Sequence, residues 1–404
     1  MKIVVDAMGG DHAPEAIVEG AVLAAREFGI EIILTGLADK VQAELDKFED
    51  HASLPIRVVH AEEVVEMHEV PAKVLRSKKK SSMKIGVDLV KNGEAEAFVS
   101  AGNTGAVLAY CTIILRPLKG VDRPAIAIQL PTLKGTSILL DAGANVDCKT
   151  SQLFQFGIMG HVFAKYILEK ENPGVGLLSI GEEDSKGNEI TKEVFQMLKK
   201  SHINFIGNVE GKEVYRGNAD VIVCDGFTGN VALKISESLA EMIGTNLKLL
   251  FRTNWASKLG YFFMKPHLAE FKKKVDHSET GGAPLLGING VCIIAHGSSS
   301  PKAIKNAIVR AQELIEKKIN QHIQDDIEFN LEERNKGGIW KQIKSIAFGE
   351  EGEGEKENEN ENNTPPSEPS EPVQDSKNNT ASLEEPVEPS ENNAESSETD
   401  PKTT

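Results

Sequence analysis

The chain has 404 residues and a net charge of −16, but the charge is uneven. Residues 350–404 hold 17 Asp and Glu against 3 Lys, which leaves residues 1–349 at −2. A body that close to neutral argues against a general nucleic-acid field, and no apolar run approaches the ~18 residues of a membrane-spanning helix.

In chain order, strand Ile3–Val5 runs into Asp6-Ala-Met-Gly9-Gly10-Asp11-His12, and Pro14 opens a helix to Phe28. The Gly-rich turn lacks the Gly-x-Gly-x-x-Gly spacing, and no Walker sequence follows anywhere, so a dinucleotide or ATP site is poorly supported. Apolar runs at Ile32–Leu34 and Ile56–Val59 read as further strands, with a helix at Leu37–Phe48 between them. A basic run, Arg76, Lys78, Lys79, Lys80 and Lys84, precedes the helix Met83–Asn92. In a near-neutral body it reads either as a solvated face or as a dock for an acidic partner. Strand Ala97–Val99 then enters Ser100-Ala-Gly-Asn103-Thr104-Gly105, where a helix begins. Asn and Thr at such a start are either plain caps or donors to an anion.

The stretch Arg123–Asp141 reads as two strands joined by Pro131-Thr-Leu-Lys-Gly135, an antiparallel hairpin. It runs into Asp141-Ala-Gly-Ala-Asn145-Val-Asp147. Turn chemistry explains those residues as well as a divalent metal would. Strand Val175–Ile180 leads into a polar loop holding Lys186 and Asn188, and another strand is expected at Ile203–Ile206. Strand Val221–Cys224 is broken by Asp225-Gly226, and Thr228, Gly229 and Asn230 offer caps and flexible backbone at a helix start, where an anion is favoured. Thr280-Gly-Gly282-Ala-Pro284-Leu-Leu-Gly287 reads as a stiffened loop before strand Val291–Ala295, with His296 ending the strand and Ser298 at the next helix start. Alternating strands and helices imply an α/β fold with a largely parallel sheet. The turns after its strands are expected to gather at one carboxyl edge.

Two segments depart from this pattern. Leu247–Val275 interleaves Trp255, Leu259, Tyr261, Phe262, Phe263 and Met264 with Arg252, Lys258, Lys265 and Lys272–Lys274. It reads as a helical excursion broken near Pro266, whose apolar tip meets a membrane surface or a dimer partner. Beyond Phe348 the composition collapses to Glu, Asn, Ser and Pro, which predicts a disordered acidic tail over 349–404. The stretch Gly338–Phe348 is amphipathic, and 326–348 is expected to form a helical extension of a catalytic domain at 1–325. Cys111, Cys148, Cys224 and Cys292 form no Cys-x-x-Cys pair and read as buried structural thiols. Lys2 leads directly into a strand and polar turn, unlike a signal peptide, so a cytoplasmic protein is expected.

Eight segments in order resemble the phosphate acyltransferases of bacterial phospholipid synthesis (acyl-carrier-protein:phosphate transacylases). They are Val5–Pro14, Ser100–Ala106, Leu140–Asp147, Ile180–Glu189, Phe205–Gly211, Cys224–Lys234, Gly281–Gly287 and His296–Ser299. The last four also resemble the layout of phosphate acetyltransferases. The resemblance covers residues 1 to about 320 and does not extend to the tail. It implies a three-layer α/β/α fold like that of isocitrate and isopropylmalate dehydrogenases. It also implies transfer of a long acyl group from the thioester of acyl carrier protein to inorganic phosphate, with no cofactor and no metal. The acyl phosphate would pass to a membrane glycerol-3-phosphate acyltransferase, and the enzyme would be a homodimer peripherally associated with the membrane.

On that resemblance, Asn103, Thr104, Thr228 and Asn230 are candidate donors to phosphate or to the oxyanion. Asp225 would orient a donor or handle a proton, and His296 or a nearby lysine would neutralise charge or protonate the thiolate. Gly105, Gly226, Gly229, Gly282, Lys186, Asn188 and Ser298 would line the substrate. Arg76, Lys78, Lys79, Lys80 and Lys84 would dock the acidic carrier protein. Trp255, Leu259, Phe262 and Phe263 would touch the membrane.

Overall fold

The computed structural model describes residues 1–275 and 281–336. The expected amphipathic piece 338–348 and the acidic tail 349–404 lie outside the described residues, as does Thr280.

The amino-terminal half alternates as expected: β1 (Lys2–Asp6), α1 (Glu15–Phe28), β2 (Glu31–Gly36), α2 (Ala38–Leu45) and β3 (Ile56–His60). Then follow α3 (Pro71–Ser77), α4 (Ser82–Lys91), β4 (Ala97–Ser100) and α5 (Thr104–Tyr110), which continues as a π-helical turn at Cys111–Leu115. The hairpin β5 (Ala125–Thr132) and β6 (Gly135–Leu140) opens the second half. After it come α6 (Thr150–Tyr166), β7 (Val175–Ser179), α7 (Glu189–Lys199), β8 (Phe205–Glu210), β9 (Val221–Val223), α8 (Gly226–Leu250) and α9 (Trp255–Val275). The chain then returns with β10 (Ala283–Leu286), β11 (Val291–Ile294), α10 (Pro301–Glu316) and α11 (Ile319–Lys336).

The described strands form one sheet in the order β3-β2-β1-β4-β11-β10-β5-β6-β9-β7-β8. The strands β3, β2, β1, β4 and β11 are mutually parallel. At the centre β10 is antiparallel to β11, β5 to β10, and β6 to β5. Three reversals leave β6, β9, β7 and β8 parallel to one another and opposite to the first five. The largely parallel α/β sheet agrees with the sequence reading. The single carboxyl edge does not: the turns after β1, β4 and β11 leave the sheet in one direction, and those after β6, β9 and β7 in the other.

Strand alternation places the core on both faces. Ile3 and Val5 pack in one cluster with Ile17, Ala21, Ile304 and Ile308 of α1 and α10, whereas Val4 packs in a second with Met83 and Val87 of α4. Helix α6 is apolar nearly all round and lies within the first cluster. Its Gly160 lets the helix approach Val221 of β9, where a Cβ would collide with the valine side chain. On its outer side α6 carries α11, with Tyr166 stacked on His322 at 3.7 Å. The expected boundary at 325 falls inside α11, which runs unbroken from Ile319.

Two further expectations change. The stretch expected as a loop before β11 contains β10, which pairs on one side through Ala283 and Pro284 and on the other through Leu285 and Leu286. Pro284 stands at the second position of β10, next to the strand start where a missing donor is best tolerated, and is in register with Ile293 of β11. The excursion begins earlier than expected. In α8 only Gly226 and Gly229 are buried, and Leu233 is half-buried against the cluster of Leu130, Leu139 and Ile222, so most of the helix beyond that point stands outside the core. The helical break lies between Leu250 and Trp255, and Pro266 is contained within α9. None of the described helices is long and apolar enough to cross a membrane.

Candidate functional site

The sheet reversal sorts the candidate residues into two groups. The first holds Asn103, Thr104, Gly105, Gly282, His296 and Ser298, at the ends of β4 and β11 and the start of β10. The second holds Lys186, Asn188, Asp225, Gly226, Thr228, Gly229 and Asn230, at the ends of β7 and β9. Strands β11 and β9 stand four places apart in the sheet, roughly 19 Å at ~4.8 Å per strand.

In the first group, buried Asp6 braces the turns from below. It accepts from Ser100 Oγ at 2.8 Å and from Met8 N at 3.2 Å. Burial pushes its carboxyl up, against hydrogen bonds from Ser82, Ser100 and Met8 that pull it down. A Cβ at Gly9 would lie 2.6 Å from the Asp6 carboxylate, so the Gly9-Gly10 turn is fixed by packing. Asp11 N donates to Gly297 O at 2.8 Å, which ties the β1 turn to the β11 turn. His296 Nδ1 lies 2.8 Å from Ser298 Oγ.

Asn103 is buried and fully engaged. Its Oδ1 caps α5 by accepting from Ala106 N at 3.0 Å, and its Nδ2 donates to Met67 O and Glu69 O at 2.9 Å each. This amide fastens the segment before α3 over the β4 turn, and it has no donor left for phosphate. Thr104 is exposed at the first position of α5, before the first intrahelical bond from Val107 N to Asn103 O. Gly105 is required by packing, because a Cβ would lie 2.7 Å from Pro71 of α3.

The basic run is also partly internal. Lys78 Nζ pairs with Glu69 at 2.6 Å and donates to the Val64 carbonyl. That bond holds the Glu69 carboxyl below its usual range. Beside it Tyr110, buried, donates its hydroxyl to Lys78 O at 2.9 Å. Lys78 is therefore a structural cation, which corrects its assignment to docking. Lys80 pairs with Glu62 and Lys84 with Asp88, while Arg76 and Lys79 are exposed.

The second group is built around buried Asp141. Its carboxylate accepts from the backbone N–H groups of Ile126, Gly143, Ala144 and Asn145, and from Asn145 Nδ2. Burial raises its pKa and these bonds oppose the rise. With its oxygens so engaged, Asp141 is a brace for the turn and not a metal ligand. Helix α8 starts against that brace. A Cβ at Gly226 would lie 2.7 Å from Asn145 O, and one at Gly229 would collide with the Asp141 carbonyl. Both glycines are packing positions in the first turn, which sequence reasoning had assigned to substrate.

The start of α8 already holds an anion of its own. Asp225 Oδ1 accepts from Thr228 N and Oδ2 from Thr228 Oγ1, each at 2.8 Å. Gly226 N donates to Asn145 O at 2.7 Å and Gly229 N to Asp225 O at 2.9 Å. The expected cradle for a bound anion is thus occupied by the cap itself. Asn230, one position beyond, is exposed, and its side chain stands over the backbone of Gly143. On the neighbouring turn after β7, Asn188 caps α7 by accepting from Thr191 N at 2.8 Å, and Lys186 is exposed.

Sequence reasoning missed one feature of this group. From its first turn α8 carries exposed apolar residues at Phe227, Val231, Ile235, Leu239 and Ile243. The signal was present as an unbroken four-residue spacing. The tip expected to touch a membrane is exposed as well, with Trp255 78% accessible and Leu259, Phe262 and Phe263 also open. Nothing is described of the Lys272–Lys274 side chains, which lie at the end of α9.

A family model described as "Fatty acid synthesis protein" matches residues 1–322. The phosphate acyltransferase of Geobacter sulfurreducens is 53% identical over 328 residues, 81% of this chain and 94% of the relative. That of Pelotomaculum thermopropionicum is 50% identical over 338 residues, 84% of this chain and 98% of the relative. Among solved structures, a phosphotransacetylase from Streptococcus pyogenes superposes with a TM-score of 0.55 at 19% identity, covering 78% of this chain and 94% of its own. That likeness concerns the fold.

Proposed function

Because the chain belongs to the phosphate acyltransferase family, an acyltransferase family of lipid synthesis, we propose that it moves a long-chain acyl group from the thioester of acyl carrier protein to inorganic phosphate. A phosphate oxygen attacks the thioester carbon, the carbon–sulfur bond breaks, and the carrier leaves as a thiolate that takes up a proton. The products are acyl phosphate and free carrier. The observation that carries this reading is the match to curated phosphate acyltransferases over nearly their whole length.

Phosphate is already anionic, so the protein's task is to desolvate it, hold it in line with the carbonyl and stabilise the developing oxyanion. In the second group the exposed Asn230 amide is the proposed oxyanion donor. Lys186, on the adjacent turn, is the proposed counter-charge for phosphate. Asp225 holds Thr228 and the α8 start in place, so its proposed role is positioning. Exposed Arg76, Lys79 and Lys80, with half-buried Lys84 beside them, are the proposed dock for the acidic carrier. Trp255, Leu259, Phe262 and Phe263 are proposed to touch the membrane surface, where acyl phosphate would be handed to a glycerol-3-phosphate acyltransferase. The exposed helices α8 and α9 make a homodimer the proposed assembly.

The test is release of carrier thiol from long-chain acyl carrier protein with and without phosphate. Release that needs phosphate but neither NAD nor divalent metal supports the reading. Release independent of phosphate, or none with any long-chain donor, contradicts it.

A further inference from the structure

Strand β8 lies at the edge of the sheet beside β7, with Asn208 in register with Leu177 and Glu210 with Ser179. Asn208 is the polar side chain of β8 that is buried. Its Nδ2 donates to Glu183 O at 2.8 Å. Glu183 belongs to the turn after β7, the same turn that carries Lys186. The Glu183 carbonyl also accepts from Lys186 N at 3.0 Å. One oxygen thus joins the strand on one side to the lysine backbone on the other. The Lys186 stem lies over Gly181, where a Cβ would stand 3.0 Å from Lys186 Cγ and 2.8 Å from the Glu183 carboxylate. Two further ties are ion pairs: Lys212 bridges Glu182 and Glu210 at 3.1 and 2.6 Å, and Lys199 meets Asp184 at 3.0 Å. Their side chains are solvated, so each pair contributes little.

We infer that Asn208 is a positioning residue: through the Glu183 carbonyl it fixes the turn whose Lys186 meets phosphate. The inference rests on the proposed acyl transfer and on the counter-charge role given there to Lys186. An ammonium on a flexible four-carbon stem is a poorly placed charge unless its backbone and stem are confined. Here β8 pins the backbone and the gap over Gly181 confines the stem, which aims the charge before the acceptor arrives. An amide suits the task because it is a neutral donor that can be buried against a carbonyl. Asp would present only acceptors when ionised, and Leu neither donor nor acceptor. Asn103 does the same at the other group of turns, where its amide fastens Met67 O and Glu69 O.

The experiment measures KM for inorganic phosphate and for long-chain acyl carrier protein in wild type, Asn208→Leu, Lys186→Met and the double variant, with thermal melts alongside. Asn208→Leu raises KM for phosphate about tenfold, the scale of one lost hydrogen bond, and leaves KM for the carrier substrate unchanged. Added to Lys186→Met it raises the phosphate KM no further, because both changes act through one ammonium. An unchanged phosphate KM in Asn208→Leu, an equal rise in both constants, or a rise that adds in full to that of Lys186→Met overturns the inference. Asn208→Ser, polar but too short to reach Glu183 O, carries the same comparison where Asn208→Leu does not fold. Loss of the fold in both overturns the inference too, by assigning Asn208 to the core alone. Absence of phosphate-dependent release in wild type, or a normal phosphate KM in Lys186→Met, instead fails the reading on which the inference rests.

Discussion

The carboxylate of Asp225 receives both the backbone N–H and the hydroxyl of Thr228, each at 2.8 Å. A residue pair that sequence alone reads as an anion site is, in the folded chain, a helix cap already closed on itself. This separates Thr228 from Asn230, two positions along, whose side chain is exposed beside Gly143.

The two residues should therefore differ on mutation. Asn230→Ala is expected to lower kcat by ~10²–10³, the usual cost of one oxyanion donor. Asp225→Ala should cost stability of about 1 kcal/mol, as for loss of an N-cap, and Thr228→Ala less. Steady-state kinetics with thermal melts checks this. Equal rate losses in Asn230→Ala and Thr228→Ala, without a melting change, would return Thr228 to the reaction.

The strand–Gly–helix grammar was legible because buried parallel strands read as apolar runs and helix starts need caps. Strand direction was not legible. The hairpin at 131–135 could be read, but β10 is four residues long, contains Pro284 and is bounded by glycines, so it imitates a loop. β10 is antiparallel to both neighbours, so its two reversals cancel. The net reversal that separates His296 from Asn230 is that of the β5–β6 hairpin, whose place in the strand order the sequence does not reveal. Cap and ligand donor use the same residue types, so Asn103, Asn188 and Thr228 could not be sorted until their partners were known.

Within the basic run, Lys78 and Lys79 should behave oppositely. Lys79→Ala, with Arg76→Ala, is expected to raise KM for carrier substrate and weaken its salt dependence. Lys78→Ala should instead lower the melting temperature, since it removes the partner of Glu69 and of the Val64 carbonyl. A salt-insensitive KM unchanged in the Arg76/Lys79 variant would assign those residues to solvation.

Thiol chemistry should be silent in the native enzyme. All four cysteines are buried, and burial pushes Cys148 up to about 11 and Cys224 well above its ordinary value. The reactive species is the thiolate, so at pH 8 only roughly a thousandth of Cys148 is available. Alkylation at pH 8 should label the native protein slowly and the denatured protein at every cysteine. Fast native labelling at Cys148 or Cys224 would mean that the Asp141–Cys148 turn opens.

Trp255→Glu combined with Leu259→Glu tests the exposed tip. Both side chains face solvent, and Lys258 and Lys265 nearby are exposed to meet anionic headgroups, each worth about 1 kcal/mol near a charged surface. The double variant is expected to keep its native mass and activity and to stop sedimenting with anionic liposomes. Undiminished liposome binding, or a fall in native mass, would count against a membrane role.

The central claim is that inorganic phosphate is the acyl acceptor. Its most direct test is incubation of the enzyme with long-chain acyl carrier protein and radiolabelled phosphate, without nucleotide or divalent metal, followed by extraction and hydroxylamine treatment. The account predicts label in an organic-soluble acyl phosphate, matched mole for mole by free carrier thiol and released by hydroxylamine. Carrier thiol appearing with free fatty acid and no labelled acyl phosphate would contradict it.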